Sequence, residues 1–219
     1  MTAADLSRSR LYGILDLGYV EIGKALKVGE QMIAGGVDLI QLRAKGRDVG
    51  EVAKIATDLL RLAQKQGVPL IINDHPEIAA NIGAAGVHVG QDDLPIAEVR
   101  EIVGPDCVVG KSTHSLDQAI RAFYEGADYI GFGPIFATPT KPDYPPVGLH
   151  DIQKIHEAVR VPIFCIGGIK LDNLAEVIEA GARRVVIVSG LLRATDIPAY
   201  GRAARALLNR KSKIEIRKS

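Results

Sequence analysis

The 219-residue sequence predicts a single-domain α/β fold, an eight-stranded (β/α)8 TIM barrel. Three observations carry that expectation. Short β-branched runs alternate with longer helical patterns from one end of the chain to the other. Those runs are mostly apolar on both faces, as strands of a parallel sheet covered by helices are. Eight of them fit a closed barrel at the short end of its usual length range, and no composition shift or linker marks a domain boundary.

The strands are read in order. LYGILD (11–16) opens the series and LIQLR (39–43) follows. The stretch DVGEVAKIATDLLRLAQKQG then carries Val52, Ile55, Ala56, Leu59, Leu62 and Ala63 on one helical stripe, closed by Gly67 and Pro69. PLIIND (69–74), GVHVG (86–90) and VVGKST (108–113) are the third to fifth strands. SLDQAIRAFYEGA is a second amphipathic helix, and YIGFGPIF (129–136) and PIFCIGGI (162–169) come after it. LDNLAEVIEAGA precedes the eighth run, RVVIVSG (184–190). Both of these helices end at a glycine suited to a left-handed cap. The competing architecture, an open doubly wound sheet, lacks the G-x-G-x-x-G expected after the first strand and a second domain. The barrel core is expected over about 11–208, and the basic tail NRKSKIEIRKS (209–219) is expected to fray in solvent.

Composition narrows the function classes. A formal charge of +1 gives no general electrostatic case for nucleic acid or an anionic membrane, so any anion site must be local. Cys107 and Cys165 lie in apolar strand-like runs and read as two buried thiols in a reducing compartment. The segment MTAADLSRSR has no signal-peptide core, and no window approaches roughly 18 uninterrupted apolar residues. A cytoplasmic location is the expectation. The sequence leaves monomer and homo-oligomer equally open.

The unexpected polar residues fall at the C-terminal strand ends, where barrel active sites lie. In QLRAK, alternation puts Gln41, Arg43 and Lys45 on one face, and two neighbouring cations suit a phosphate or diphosphate between them. The bland alternative is a solvated strand end paired with Asp48 or Glu51. Asp74 and Asp93 end neighbouring strands. Two close carboxylates need a proton or cation between them, and oxygen-only ligands suggest magnesium. N-capping is the alternative for each, and Asp74 before HPEIAANIG, with Pro76 early in the helix, fits it well. Asp92 alternates away from Asp93. Gly167 and Gly168, with Ser189 and Gly190, end strands seven and eight, where backbone N–H groups commonly hold phosphate. His88 reads as a hydrogen-bonded barrel residue, whereas His114 near the rim is a candidate for proton transfer. The long polar loop in FGPIFATPTKPDYPPVG (132–148) carries Lys141 with no hydrophobic anchor.

Taken together, QLRAK, IIND, GVHVGQDD, GKSTH, GFGPIFATPTK, IGGI and VVIVSG resemble the thiamine phosphate synthase family over residues 11 to about 195. The resemblance implies a Mg²⁺-dependent transferase of small phosphorylated substrates. It would couple 4-amino-2-methyl-5-hydroxymethylpyrimidine diphosphate to 4-methyl-5-(2-phosphooxyethyl)thiazole or its carboxylated form, releasing thiamine phosphate and diphosphate. By carry-over, Gln41, Leu42, Arg43, Ala44, Lys45, Asn73, Ser112 and Lys141 hold the pyrimidine diphosphate. Thr138, Pro139, Thr140, Gly168, Val188 and Ser189 hold the thiazole phosphate, and Asp74 and Asp93 bind the metal. Arg43, Lys45, Lys141 and Ser112 are the residues implied to act in catalysis. Lys141 and its threonines are expected to complete the site as a flexible cover. Two departures from the family pattern are His75, where arginine is common, and a first strand reading YGILDLG. The rivals are a thiazole tautomerase, which shares Ser112, His114 and the glycine turn, and a non-catalytic phosphate-ligand module.

Overall fold

In a computed structural model that describes residues 3–138 and 144–216, eight parallel strands close into one ring in chain order. They are β1 (Leu11–Asp16), β2 (Leu39–Arg43), β3 (Leu70–Asn73), β4 (Gly86–Val89), β5 (Val108–Thr113), β6 (Tyr129–Phe132), β7 (Ile163–Cys165) and β8 (Val185–Ile187). β8 returns to pair with β1, matching Leu11 with Val185. This closure excludes the open sheet. Several strands are shorter than the apolar runs that announce them: the residues after Asn73, Val89, Phe132, Cys165 and Ile187 leave the sheet and form the rim.

The helices are α1 (Ala3–Arg8), α2 (Ala25–Ala34), α3 (Val49–Lys65), α4 (Pro76–Ile82), α5 (Ile96–Val103), α6 (Leu116–Tyr124), α7 (Ile152–Ala158), α8 (Leu174–Glu179), α9 (Ser189–Leu192) and α10 (Ile197–Ile216). The stripe expected on α3 is the face it buries, with Val52, Ala56, Leu59 and Ala63 inward. Asp48 caps that helix by accepting the Glu51 N–H at 3.1 Å, and Ser115 caps α6 through Gln118 N–H at 3.2 Å. Two elements differ from the sequence expectation. α1 is an unforeseen helix whose Leu6 is fully buried among the residues that fill the barrel. The segment expected to fray is helical to Ile216 as the end of α10.

Alternation divides the strands between two cores. Outward residues such as Leu15, Leu42, Val87 and Ile130 pack under the helices. Inward ones include Tyr12, Ile71, Val108, Tyr129, Phe164 and Val186. Tyr12, Tyr129 and Phe164 meet edge to face, with ring centroids 5.4–6.1 Å apart, and plug the ring. Gly110 makes room for this plug: a Cβ there would overlap the Tyr129 ring. A filled barrel turns the C-terminal rim into a cup with a solid floor. Both cysteines are free and buried, and among the described residues no helix is long and apolar enough to cross a membrane.

Candidate active site

The cup encloses about 890 Å³, part of it open to solvent. Its floor is Tyr12, Tyr129 and Phe164. Its wall carries Asp16, Gln41, Arg43, Asn73, His88 and Ser112 on one side, and Thr138, Gly167, Gly168, Val188 and Ser189 on the other. Residues from strands all round the ring therefore converge, as the strand-end positions imply.

β2 sends Gln41 and Arg43 inward by alternation. Gln41 is buried, with its amide nitrogen 2.6 Å from the Tyr12 hydroxyl. Leu42 and Ala44, on the alternate face, have their side chains in the outer core, so only their backbone reaches the rim. The cation partners proposed from sequence are not the ones used. Asp48 is engaged at its helix cap, and Arg43 Nη1 instead donates to Asp16 Oδ2 at 2.6 Å across β1 and β2. Asp16 is 1% exposed and also accepts the Gly18 N–H at 2.8 Å. This residue was missed. The signal available was an aspartate closing an otherwise apolar first strand. In this first strand Leu15 lies in the outer core, while Asp16 stands in the cup.

Asn73 lines the cup, and Asp74 follows it on the rim. Asp74 does not cap α4. His75 holds the cap position and makes no side-chain cap bond, while Pro76 is at the helix start. Asp74 adopts φ 61°, the one left-handed non-glycine among the described residues. Asp93, which follows the neighbouring strand, is the side chain that acts most on the Asp74 carboxyl. Burial, then the Asp93 hydrogen bond and charge, push Asp74 up to about 6, against the pull of Lys45 and Arg43. Burial also pushes Asp93 up, but the Gly90 N–H at 2.6 Å and Asp74 outweigh it and hold Asp93 below the usual range. Lys45 Nζ stands 3.9 Å from Asp74 Oδ2, with its side chain 60% exposed. Asp92 engages elsewhere, accepting from Tyr144 at 3.4 Å.

On β4 and β5, His88 is the hydrogen-bonded barrel residue expected, bonded to Tyr129 at 3.0 Å and Ser112 at 2.9 Å. His114 is not among the residues lining the cup. Its Nδ1 donates to the Gly133 carbonyl and its ring stacks on Tyr144 with centroids 4.4 Å apart. That arrangement braces the strand-six loop and gives no support to proton transfer.

The glycine turn has a role beyond ligand approach. Gly167 and Gly168 have φ 98° and 65°, and a Cβ on either would strike Pro134 or Phe136 of the strand-six segment. The glycine turn is thus packed directly against the loop after β6. Ser189 opens α9, and the Tyr200 hydroxyl, which accepts the Leu171 N–H at 3.0 Å, packs against Gly190. Pro139, Thr140 and Lys141 lie outside the described residues. Thr138, just before them, lines the cup.

Among the described residues, no three His, Cys, Asp or Glu side chains converge as a metal cluster. The rim pair of carboxylates offers two hard oxygen donors, fewer than an all-protein metal cage needs, and Arg43 and Lys45 stand beside it as cations.

Comparison with known proteins agrees with this geometry. The model of a family described as thiamine monophosphate synthase matches residues 11–191. A thiamine-phosphate synthase of Shouchella clausii is 44% identical over 204 residues, covering 93% of this chain and 98% of that protein. One from Thermus thermophilus is 46% identical over 182 residues, covering 83% and 86%. The solved thiamine phosphate pyrophosphorylase of Pyrococcus furiosus superposes with a TM-score of 0.86 at 30% identity, covering 94% and 98%. A 3-hexulose-6-phosphate synthase structure, at 18% identity and a TM-score of 0.67, shares the fold. The chain belongs to the thiamine monophosphate synthase family.

Proposed function

We propose that this chain is a transferase that joins 4-amino-2-methyl-5-hydroxymethylpyrimidine diphosphate to 4-methyl-5-(2-phosphooxyethyl)thiazole, or its carboxylated form, giving thiamine phosphate and diphosphate. The single observation that carries the reading is the Asp74–Asp93 carboxyl pair on the same rim as Arg43 and Lys45, within a chain whose relatives bear the synthase name. The carboxyl pair fits magnesium, because it offers hard oxygen donors and two adjacent charges that a divalent ion would relieve. Asp74 and Asp93 would hold the ion, which supplies neutralisation of charge on the diphosphate oxygens.

The chain's own residues do the remainder. Arg43, held by Asp16, and Lys45 grip the diphosphate, and Lys141 is assigned to the same group from the family resemblance alone. Gln41, Asn73 and Ser112 orient the pyrimidine over the aromatic floor. Gly168, Val188, Ser189 and Thr138 receive the thiazole phosphate at the opposite wall, and Pro139 and Thr140 are assigned to the same substrate from the family resemblance alone. Diphosphate departs from the pyrimidine methylene, whose positive charge the aminopyrimidine ring delocalises, and the thiazole nitrogen then attacks. No nucleophilic side chain is needed. Electrostatic stabilisation of the leaving group and alignment of two bound substrates supply the acceleration.

The thiazole tautomerase reading draws no support from relatives named as synthases, and it leaves the acid pair without a use. The two free buried thiols are consistent with a reducing cytoplasm. The test is release of diphosphate by the folded chain supplied with both precursors, with and without Mg²⁺. Metal-dependent release is expected, and a folded sample inert with both precursors and metal would falsify the proposal.

A further inference from the structure

Beneath the cup, five side chains from five strands form one unbroken hydrogen-bonded row. Gln41 Nε2 lies 2.6 Å from Tyr12 Oη, and Tyr12 Oη lies 3.0 Å from Tyr129 Oη. Tyr129 Oη is 3.0 Å from His88 Nδ1, and His88 Nε2 is 2.9 Å from Ser112 Oγ. Tyr12 and Tyr129 are buried, and burial raises both phenols, so they stay protonated at any working pH.

Donor and acceptor counting gives this row a direction. An amide nitrogen only donates, so Tyr12 oxygen accepts from Gln41. The one proton of the buried Tyr12 phenol must then go to Tyr129, because Gln41 Nε2 cannot take it and a buried hydroxyl left unbonded is costly. Tyr129 has accepted from Tyr12 and passes its own proton to His88 Nδ1. That ring nitrogen is bare, so the His88 proton sits on Nε2 and is donated to Ser112 Oγ. Ser112 has then accepted from behind, and its own hydroxyl hydrogen is left for the cup. At the other end, one N–H of the Gln41 amide is committed to Tyr12, which fixes the orientation of the amide and leaves Oε1 as its acceptor.

We infer that Tyr12, Tyr129 and His88 are positioning residues that fix the polarity of the cup, making Ser112 a hydrogen-bond donor and Gln41 Oε1 an acceptor. Resting on the proposed function, this specifies how the pyrimidine diphosphate is read. Ser112 meets an acceptor, a ring nitrogen or a diphosphate oxygen, while Gln41 Oε1 meets a donor such as the amino group. A ring with these reversed would face two donors or two acceptors, which is how a site rejects an isostere. None of the three positioning residues needs to exchange a proton with substrate.

The test is the tautomer of His88 in the metal-free, substrate-free chain. Long-range ¹H–¹⁵N correlation of ¹⁵N-histidine protein at neutral pH, with the signal assigned by its loss in His88→Gln, separates a protonated from a bare ring nitrogen. A protonated Nε2 with bare Nδ1 is expected. Tyr129→Phe keeps the ring that fills the barrel but removes the donor to Nδ1. It should shift His88 toward a tautomer mixture and raise KM for the pyrimidine diphosphate about tenfold, leaving KM for the thiazole unchanged. A proton on Nδ1, an imidazolium at neutral pH, or a tautomer unmoved by Tyr129→Phe overturns the inference. Because the tautomer is read without substrate, a chain lacking synthase activity would sink the proposed function and leave this row standing.

Discussion

Asp74 and Asp93, at the rims of the neighbouring strands β3 and β4, lie close enough for each to shift the other's carboxyl, and Asp74 takes a left-handed backbone there. Such φ values are strained for most residues, though aspartate and asparagine tolerate them best. The chain therefore accepts both backbone strain and charge repulsion at this point. Neither helps folding, which is the signature of a site arranged for something else to bind.

The first prediction follows from the raised Asp74. Its folded-state value of about 6 exceeds the ordinary 3.8, so the native state keeps a proton that the unfolded chain gives up. Its contribution to stability is complete below about 3.8 and is lost as pH rises through about 6. Above that, the metal-free fold carries two adjacent charges. Asp74→Asn tolerates the left-handed backbone and removes the repulsion. In EDTA at pH 8 it should be more stable than the parent by about 1–2 kcal/mol after discounting for solvent screening. That corresponds to about 2–8 °C in Tm, vanishing by pH 4. Calorimetry of both proteins across that range decides it. A variant less stable at pH 8 would show that the pair is not repulsive.

Asp93→Asn keeps an oxygen for the Gly90 N–H and should leave the fold intact by circular dichroism. The magnesium needed for half-maximal diphosphate release should rise at least about tenfold, or turnover should vanish, as expected when a ligand loses its charge. An unaltered magnesium titration rejects the ligand assignment.

The Asp16–Arg43 pair gives a third prediction. Asp16→Asn retains the turn bond from Gly18 but leaves the Arg43 guanidinium without its counter-charge in a largely buried site. The loss should be about 2–4 kcal/mol in denaturant titration. KM for the pyrimidine diphosphate should rise while KM for the thiazole holds. An equal change in both KM values would assign Asp16 to the whole cup and not to Arg43.

Much of this architecture was legible because periodicity is a local property. LYGILD, LIQLR and VVGKST are strands at the bounds read from sequence, and the buried stripe of α3 is the one its spacing announces. Asp74 and Asp93 were brought into one view by their places at successive strand ends, and the fold joins them. What escaped depends on partners far apart in the chain. Arg43 chooses Asp16 across a strand pair over the nearer Asp48, because Asp48 is committed to a helix cap. The row from Gln41 to Ser112 needs barrel closure to exist, so no window of sequence holds it. The pattern around Asp74 equally predicts a helix cap, since an aspartate two residues before a helix-start proline commonly serves as one. Only the backbone dihedral distinguishes the two uses.

The glycine turn after β7 supplies the last prediction, and it is best tested as a matched pair. Gly168 and Gly83 have nearly the same left-handed φ, 65° and 69°, so alanine at either position meets a similar backbone penalty of about 1 kcal/mol. Their surroundings differ. Around Gly83 an added Cβ meets nothing within 4 Å, whereas at Gly168 it would lie 2.6 Å from Phe136 Cβ and 2.9 Å from the Ala137 carbonyl oxygen. Gly168→Ala must therefore push the strand-six segment outward, at a further cost of about 1–3 kcal/mol. Thr138 lies two residues beyond Phe136 on that same segment and lines the cup with Ser189, so the displacement falls on the thiazole side. We expect Gly168→Ala to lower Tm more than Gly83→Ala and to raise KM for the thiazole phosphate about tenfold or more, with KM for the pyrimidine diphosphate nearly unchanged. Gly83→Ala should alter neither KM. If both variants lose the same stability and keep the same kinetics, Gly168 is a turn residue alone and the loop after β6 is positioned by other contacts.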